Sequence, residues 1–307
     1  MTNISAGMVK ELREMTGAGM MDCKKALTET SGDIEASVDL LRKKGLAKAA
    51  KKSGRTAAEG LVGAAAEEGA GALVEVNSET DFVARNTEFQ AFTKACSDLA
   101  LEYDGDLEKL LAAPLAGGET VAQTLSNLVA KIGENMTVRR TTALSVSPGV
   151  VSSYVHSAVA PGLGKIGVLM ALRSSAAADK LCQLGKQLAM HVAATSPLAL
   201  DVSSLDPNVV ARERAIFADQ AQQSGKPENV VEKMIEGRLR KFYEESVLLS
   251  QTFVIDGETR IGKVLENAAK EFDAPVEIAG YVRFAVGEGI DKPPEDFAAE
   301  VSSAAGN

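Results

Sequence analysis

The sequence predicts an α+β protein, and three observations carry that reading. A pattern of strand, turn, strand and helix occurs twice, over about residues 61–101 and again over 150–194. The first 55 residues are helical in pattern throughout, with two short breaks. Residues 206–249 then interrupt the second repeat with two long helical stretches. At 307 residues the chain has room for two or three domains and a sizeable core.

The elements follow in order. Ser5 can cap a helix through Met15 that puts Met8, Val9 and Leu12 on one face. Thr16–Gly19 (TGAG) breaks it, and a second helix runs from Met20 to Thr30. Ser31–Asp33 breaks again, and Asp33 caps a third helix with Ile34, Val38 and Leu41 at helical spacing. So small a bundle has a thin core. Lys48–Arg55, rich in Ala, Lys, Ser and Gly, reads as a linker that closes a domain at residues 1–55.

Leu61–Ala66 and Ala72–Val76 are strand-like about the turn Glu67–Gly71, and a helix follows over Thr87–Leu101. Thr120–Ile132 is a helix opened by a Thr120/Gln123 capping box, and Thr137–Leu144 closes the first half, 56–146. The second half, 147–290, repeats the order. Its strands are Val150–Val159 and Ile166–Leu172 about the turn Ala160–Gly164, then come a helix Ala176–Ala194, a helix Thr259–Phe272 and a strand Val276–Val286. Each half is expected to be a small antiparallel sheet with helices on one face. The insertion starts with Asp206-Pro207, a cap followed by Pro at the first helical position. Val209, Val210, Ile216 and Phe217 on one helix face Val231, Met234, Ile235, Leu239, Phe242 and Tyr243 on the next, across a turn at Ser224–Pro227. Two narrow stripes predict an antiparallel helical hairpin, either packed on its own core or protruding as an arm. Residues 291–307 read as a loop, a short helix and a frayed end, a C-terminal tail module.

Composition excludes several classes. The chain carries 33 basic and 42 acidic residues, net -9, so it is a poor candidate for non-specific nucleic-acid binding, and no DNA partner is expected. The charge is uneven: residues 1–55 hold 11 basic and 7 acidic residues, with the excess between Arg42 and Arg55. Such a run is an ordinary solvated helix end and linker. Cys23, Cys96 and Cys182 are far apart and odd in number, which argues against disulfides and structural zinc. No secretory leader and no membrane-length apolar stretch is apparent, so a cytoplasmic protein is expected. Gly162–Gly167 (GLGKIG) matches a dinucleotide pattern but joins two strands where that fingerprint needs a strand-to-helix turn. No phosphate loop occurs, so neither direct nucleotide binding nor any other cofactor is expected. His156 and His191 belong to no metal motif, and Cys182 and His191, nine apart on one predicted helix, do not share a face.

The stretch Glu75–Arg85 (EVNSETDFVAR) stands apart. It begins as a strand and passes through Asn77, Ser78, Glu79 and Thr80, which are loop and capping types. A carboxylate and a phenyl ring, Asp81 and Phe82, then share one turn. Two readings are open: a helix cap with Phe82 in the core, or a wedge offering charge and ring to a partner.

This stretch resembles the second signature of the elongation factor Ts family, the bacterial guanine-nucleotide exchange factors for elongation factor Tu. Leu12–Leu27 (LREMTGAGMMDCKKAL) resembles the first. Lys131–Asn135 (KIGEN), Ser153–His156 (SYVH), Met190–Ala194 (MHVAA) and Arg283–Ile290 (RFAVGEGI) extend the likeness over nearly the whole chain. The resemblance implies a ubiquitin-associated-type (UBA-like) N-terminal domain and a projecting coiled-coil arm. It implies that the chain binds GDP-bound and nucleotide-free elongation factor Tu and makes or breaks no bonds. It implies that Thr80, Asp81, Phe82 and Val83 displace the partner's Mg²⁺. It implies docking through Arg13, Met20, Met21, Lys24, Ile132, Gly133, His156, Val254 and Ile255. By residue type alone Met20 and Met21 can be core, Gly133 a helix C-cap and His156 a plain surface histidine. Ser157 stands where the family commonly has glycine, and the Ala160–Gly164 turn is lengthened. The competing classes are a binding adaptor with a UBA-like domain on an inert scaffold, and a thiol enzyme using Cys96 or Cys182.

Overall fold

A computed structural model of the chain describes residues 4–16, 18–223 and 227–291. Three helices open it: α1 (Ala6–Thr16), α2 (Met20–Glu29) and α3 (Ile34–Lys52). The Ser5 hydroxyl accepts from the Met8 N–H at 3.2 Å, and the Asp33 carboxylate accepts from Ala36 at 2.9 Å, so both expected caps are formed. Leu12, Cys23, Ala26 and Leu27 are fully buried and make the small core. The expected linker is largely helix. Ala and Lys are strong helix formers, and Ala49 packs against the next hydrophobic core, so α3 continues to Lys52 and leaves residues 53–58 as the connection to the first strand.

The first half follows as β1 (Glu59–Glu67), β2 (Ala70–Ser78), α4 (Thr87–Glu102), α5 (Leu107–Ala112), α6 (Val121–Ile132) and β3 (Met136–Ser145). The capping box at Thr120 and Gln123 is formed in both directions. The short α5, capped by Asp106, was not expected; its six residues are too few to show a period. β2 is longer than its apolar run. Asn77 and Ser78 are buried strand residues paired with β3, not loop, because their side chains find hydrogen-bond partners inside.

The second half holds β4 (Gly149–His156), β5 (Leu163–Gly164), β6 (Ile166–Arg173), α7 (Ala178–Thr195), α8 (Pro207–Gln222), α9 (Glu228–Ser246), α10 (Ile261–Phe272) and β7 (Glu277–Ala285). Two antiparallel sheets result, ordered β3-β2-β1-β5 and β4-β6-β7. The shared topology is visible in the order: β2 and β6 are each flanked by a hairpin partner and a closing strand. Both closing strands also carry a bulge, at Arg139 in β3 and at Ala279 in β7.

Strand alternation then makes four layers. In β2, Ala72, Val74 and Val76 face α4 and α6, while Leu73 faces the other sheet. In β6, Val168, Met170 and Leu172 face α7 and α10, while Leu169 and Ala171 meet Val62 and Leu73 across the inter-sheet core. Helices cover one face of each sheet, as expected, and the second faces pack on each other. The expected turn at Ala160–Gly164 is more than a turn: its last two residues, β5, add to the edge of the first sheet beside β1. Gly164 and Gly167 allow this approach. A Cβ on Gly167 would stand 2.6 Å from Val62 Cγ1, and one on Gly164 would stand 2.5 Å from Val155 Cγ1.

α8 starts at its Asp206 cap, which accepts from Asn208 at 2.9 Å. It packs against α9, yet only Ala221 and Leu239 are buried on the two helices. Val209, Val210, Phe217 and the five expected stripe residues of α9 other than Leu239 are half-buried, and Ile216 is exposed. The expected Gly-Lys tip at residues 224–226 and the tail at 292–307 lie outside the described residues.

Candidate functional site

β2 delivers the chain to a loop pinned at both ends. The Thr80 N–H donates to one Glu134 carboxylate oxygen at 2.9 Å, and the Thr80 hydroxyl donates to the other at 2.7 Å. Glu79 in turn accepts from the Asn135 N–H and pairs with Arg55 at 3.3 Å. The Asn135 side chain reaches the Arg55 carbonyl at 2.7 Å, and Lys52 Nζ donates to the Gly133 carbonyl. The loop after α6, the end of α3 and the loop after β2 therefore form one junction. Beyond it, Val83 and Ala84 are buried in the helix-side core. Asn86 caps α4 by accepting from Glu88 and Phe89.

Asp81 and Phe82 lie between these anchors and point outward. Phe82 is 73% exposed, the most exposed large apolar side chain among the described residues. The reading of a cap with Phe82 in the core is overturned: the cap is Asn86 and the buried rings are Phe89 and Phe92. The reason is register, since Phe82 precedes the 3-10 turn Val83–Arg85 that turns the chain into α4.

The N-terminal candidates are also on the surface. Met20 and Met21 are 60% and 66% exposed, so neither belongs to the small core, and Arg13 and Lys24 are exposed beside them. An open groove of about 740 Å³ separates these helices from α6, with Gly19 and Asp22 on one wall and Asn127 and Ala130 on the other. Ile132 is half-buried against the first core, and Gly133 takes a φ of 89°, the left-handed C-cap of α6.

In the second half His156 is exposed at the end of β4, its Nδ1 3.1 Å from the Tyr154 hydroxyl. Val254 and Ile255 are exposed on the turn after Phe253. That turn hangs on the fully buried His191. The Val254 N–H donates to His191 Nδ1 at 3.3 Å, which leaves the proton on Nε2 to donate to Gln251 at 2.9 Å. Burial lowers the His191 pKa, partly offset by the Gln251 bond, so the ring is neutral. Gln251 also donates to the Glu245 carbonyl at 2.6 Å, tying the end of α9 to the same point. No hydrogen bond or ion pair among the described residues joins His156 or the 254–255 turn directly to the Asp81–Phe82 loop. His191, Glu134 and Asn135 were visible only as polar members of helix and loop motifs, and Gln251 belonged to none; their pairing across about 55–60 residues carries no local sequence signal.

One charged centre lies behind the loop. Glu75, fully buried on the inter-sheet face, accepts from Arg140 Nε at 2.6 Å, Arg139 Nη1 at 3.1 Å, Asn77 at 3.0 Å and the Gly287 N–H at 2.8 Å. The bulge at Arg139 lets two consecutive arginines reach one carboxylate. Burial pushes the Glu75 pKa up, but Gly287, Arg140 and Asn77 outweigh it and hold the group below its ordinary value.

Among the described residues no group of three or more His, Cys, Asp or Glu is placed to hold a metal, and no helix is long and apolar enough to cross a membrane. Burial pushes the Cys96 thiol up to about 12, which removes it as a nucleophile at neutral pH.

Comparison with known proteins adds to this geometry. A family model described as elongation factor TS matches residues 79–288. The chain is 64% identical to elongation factor Ts of Rhodospirillum centenum over the whole of both chains. It is 60% identical to that of Rhodospirillum rubrum over 99% of each chain. It is 58% identical to that of Gluconobacter oxydans over all of this chain and 99% of the relative. These full-length matches cover the anchored loop, the inter-sheet charge centre and the His191 turn together, and the chain belongs to the elongation factor Ts family of translation elongation factors.

Proposed function

We propose that this protein is a guanine-nucleotide exchange factor: it binds GDP-bound elongation factor Tu, displaces its Mg²⁺, and promotes GDP release so that GTP can rebind. The supporting observation is the exposed pair Asp81–Phe82 on a loop held at both ends. A free chain gains nothing by exposing a ring beside a carboxylate, whereas burying that ring in an opened partner is worth about 1.5–3 kcal/mol. The gain exists only in the open conformation, which is the differential interaction that shifts the partner's equilibrium. A carboxylate brought near Mg²⁺ disturbs an ion that demands near-octahedral geometry. Each tenfold loss of nucleotide affinity needs about 1.4 kcal/mol, so one side chain does not suffice and broad docking must contribute. Arg13, Met20, Met21 and Lys24 on the N-terminal helices, Ile132–Gly133 after α6, and His156 and Val254–Ile255 in the second half supply it. Linkage closes the cycle, because nucleotide must weaken this protein's binding by the factor that this protein weakens the nucleotide's.

On this reading α1–α3 are a UBA-like docking domain, α8–α9 a coiled-coil arm, and the two related halves at 56–146 and 147–290 the scaffold. The work is done by binding alone in the cytoplasm, with no cofactor. The test is release of fluorescent GDP from elongation factor Tu on mixing with this protein. Acceleration by orders of magnitude is expected. Tight binding with an unchanged release rate would instead make the chain an adaptor.

A further inference from the structure

We propose that Glu134 is a positioning residue for the Asp81–Phe82 wedge, a role that rests on the exchange reading and refines it. Glu134 touches neither the ring nor the exposed carboxylate. It spans 54 residues of sequence to take both donors of Thr80, the residue just before them, with its two oxygens. Hydrogen bonds to an ionised acceptor are the strong ones, and two on one residue fix its orientation as well as its place. Thr80 is held from the end of β2 as well, since the Ser78 hydroxyl donates to the Thr80 carbonyl at 2.9 Å.

The clasp is reciprocal. Glu79 from the wedge side takes the Asn135 N–H, while Glu134 from the other side takes Thr80. Two adjacent residues of one loop thus exchange carboxylates with two adjacent residues of the other. Asp81 and Phe82 leave this clasp on one side and enter buried Val83–Ala84 on the other, so their backbone has little freedom left. An exposed wedge without such a clasp would have to be ordered at the moment of insertion, and that entropy would subtract from the differential binding that opens the partner. With the clasp, the ordering is complete in the free chain. Arg55 extends the device: its guanidinium meets Glu79 and its carbonyl meets Asn135, so the connection after α3 is registered against the same clasp.

Two measurements on the full chain test the role. The first is amide hydrogen exchange of Thr80 in the free protein, native against Glu134→Ala. Acceleration of at least tenfold is expected in the variant, and unchanged exchange would overturn the proposal. The second is the maximal rate of GDP release at saturating protein, with the complex's Kd measured in parallel. Glu134→Ala is expected to lower the maximal rate about tenfold while Kd moves less than about threefold, the pattern of a group that acts in the transition state of release and not in docking. Glu134→Gln keeps one acceptor for Thr80 and is expected to recover most of the rate, which separates positioning from loss of fold. In an Asp81→Ala/Phe82→Ala background, Glu134→Ala is expected to add less than a twofold loss. A further tenfold loss there would show that Glu134 acts on the partner by another route and would overturn the proposal. If the native chain failed to accelerate release at all, the exchange reading would fall, while the amide measurement would still decide whether Glu134 fixes the loop.

Discussion

The Gly287 N–H, at the far end of the second half, donates to the buried Glu75 carboxylate in the first at 2.8 Å. Close approach makes this bond possible: Gly287 has a φ of 73°, and a Cβ there would stand 2.2 Å from the Ala58 carbonyl. Arg139 and Arg140 complete the centre, and both also reach Glu288, Arg139 at its carbonyl and Arg140 at its side chain. The segment after β7 is thereby fastened to the strand that carries the wedge.

Glu75→Ala is expected to destabilise the fold by about 3 kcal/mol, because the Gly287 N–H loses its acceptor and Asn77, Arg139 and Arg140 each lose one of theirs. Glu75→Gln keeps the shape and changes the pH response. The folded-state pKa of Glu75 is depressed, so its contribution is present above the ordinary glutamate value and is lost as pH falls through the lowered one. Urea unfolding across the acid range is expected to show a shallower loss of stability in Glu75→Gln than in the native chain.

His191 gives a second pH signature. Its pKa is lowered by burial, so the folded chain binds fewer protons than the unfolded chain. Stability is expected to fall as pH drops through the ordinary imidazole range, and to stop falling from this cause below the lowered folded value. Replacing His191 by Ala should remove that slope and speed amide exchange at Val254, which loses its acceptor. A slope that survives the substitution would assign it to another group.

Phe82→Ala is expected to change stability by less than about 0.5 kcal/mol, as for an exposed site. Phe89→Ala, seven residues on and fully buried, is expected to cost about 3–5 kcal/mol. Comparable thermal melts for the two variants would contradict the register of this loop.

Gly167→Ala places a methyl 2.6 Å from Val62 Cγ1 and 3.0 Å from Leu73 Cδ2, inside the inter-sheet core. Overpacking of this kind costs about 1–3 kcal/mol, and denaturant midpoints will show it.

Much of the fold was legible because its signals are local. The caps at Ser5, Asp33 and Asp206 and the box at Thr120 lie within a few residues of what they cap. The strand pairs alternate with a period of two, and Asp81–Phe82 stood out as a ring beside a charge. What was hidden depends on distant partners. Asn77 stays in its strand because the Glu59 carbonyl becomes its neighbour across the sheet, and because the Glu75 carboxylate two residues before it is held inside by Arg139 and Arg140 of β3, pairings that no local pattern announces. β5 carries two residues and no period, so its pairing with β1 follows from the sheets meeting and not from its own composition. Choosing between core and surface for Phe82, Met20 and Met21 required knowing which turn of each helix faces inward, and short helices with thin cores leave that open.

The most direct test of the wedge is stopped-flow release of fluorescent GDP from elongation factor Tu, with the native chain and with its Asp81→Ala/Phe82→Ala double variant, complex formation being measured alongside. Fast release by the native chain is expected, and a loss of at least tenfold in the variant while the complex still forms. Equal acceleration by both chains would contradict the wedge and leave the docking surfaces alone to open the partner.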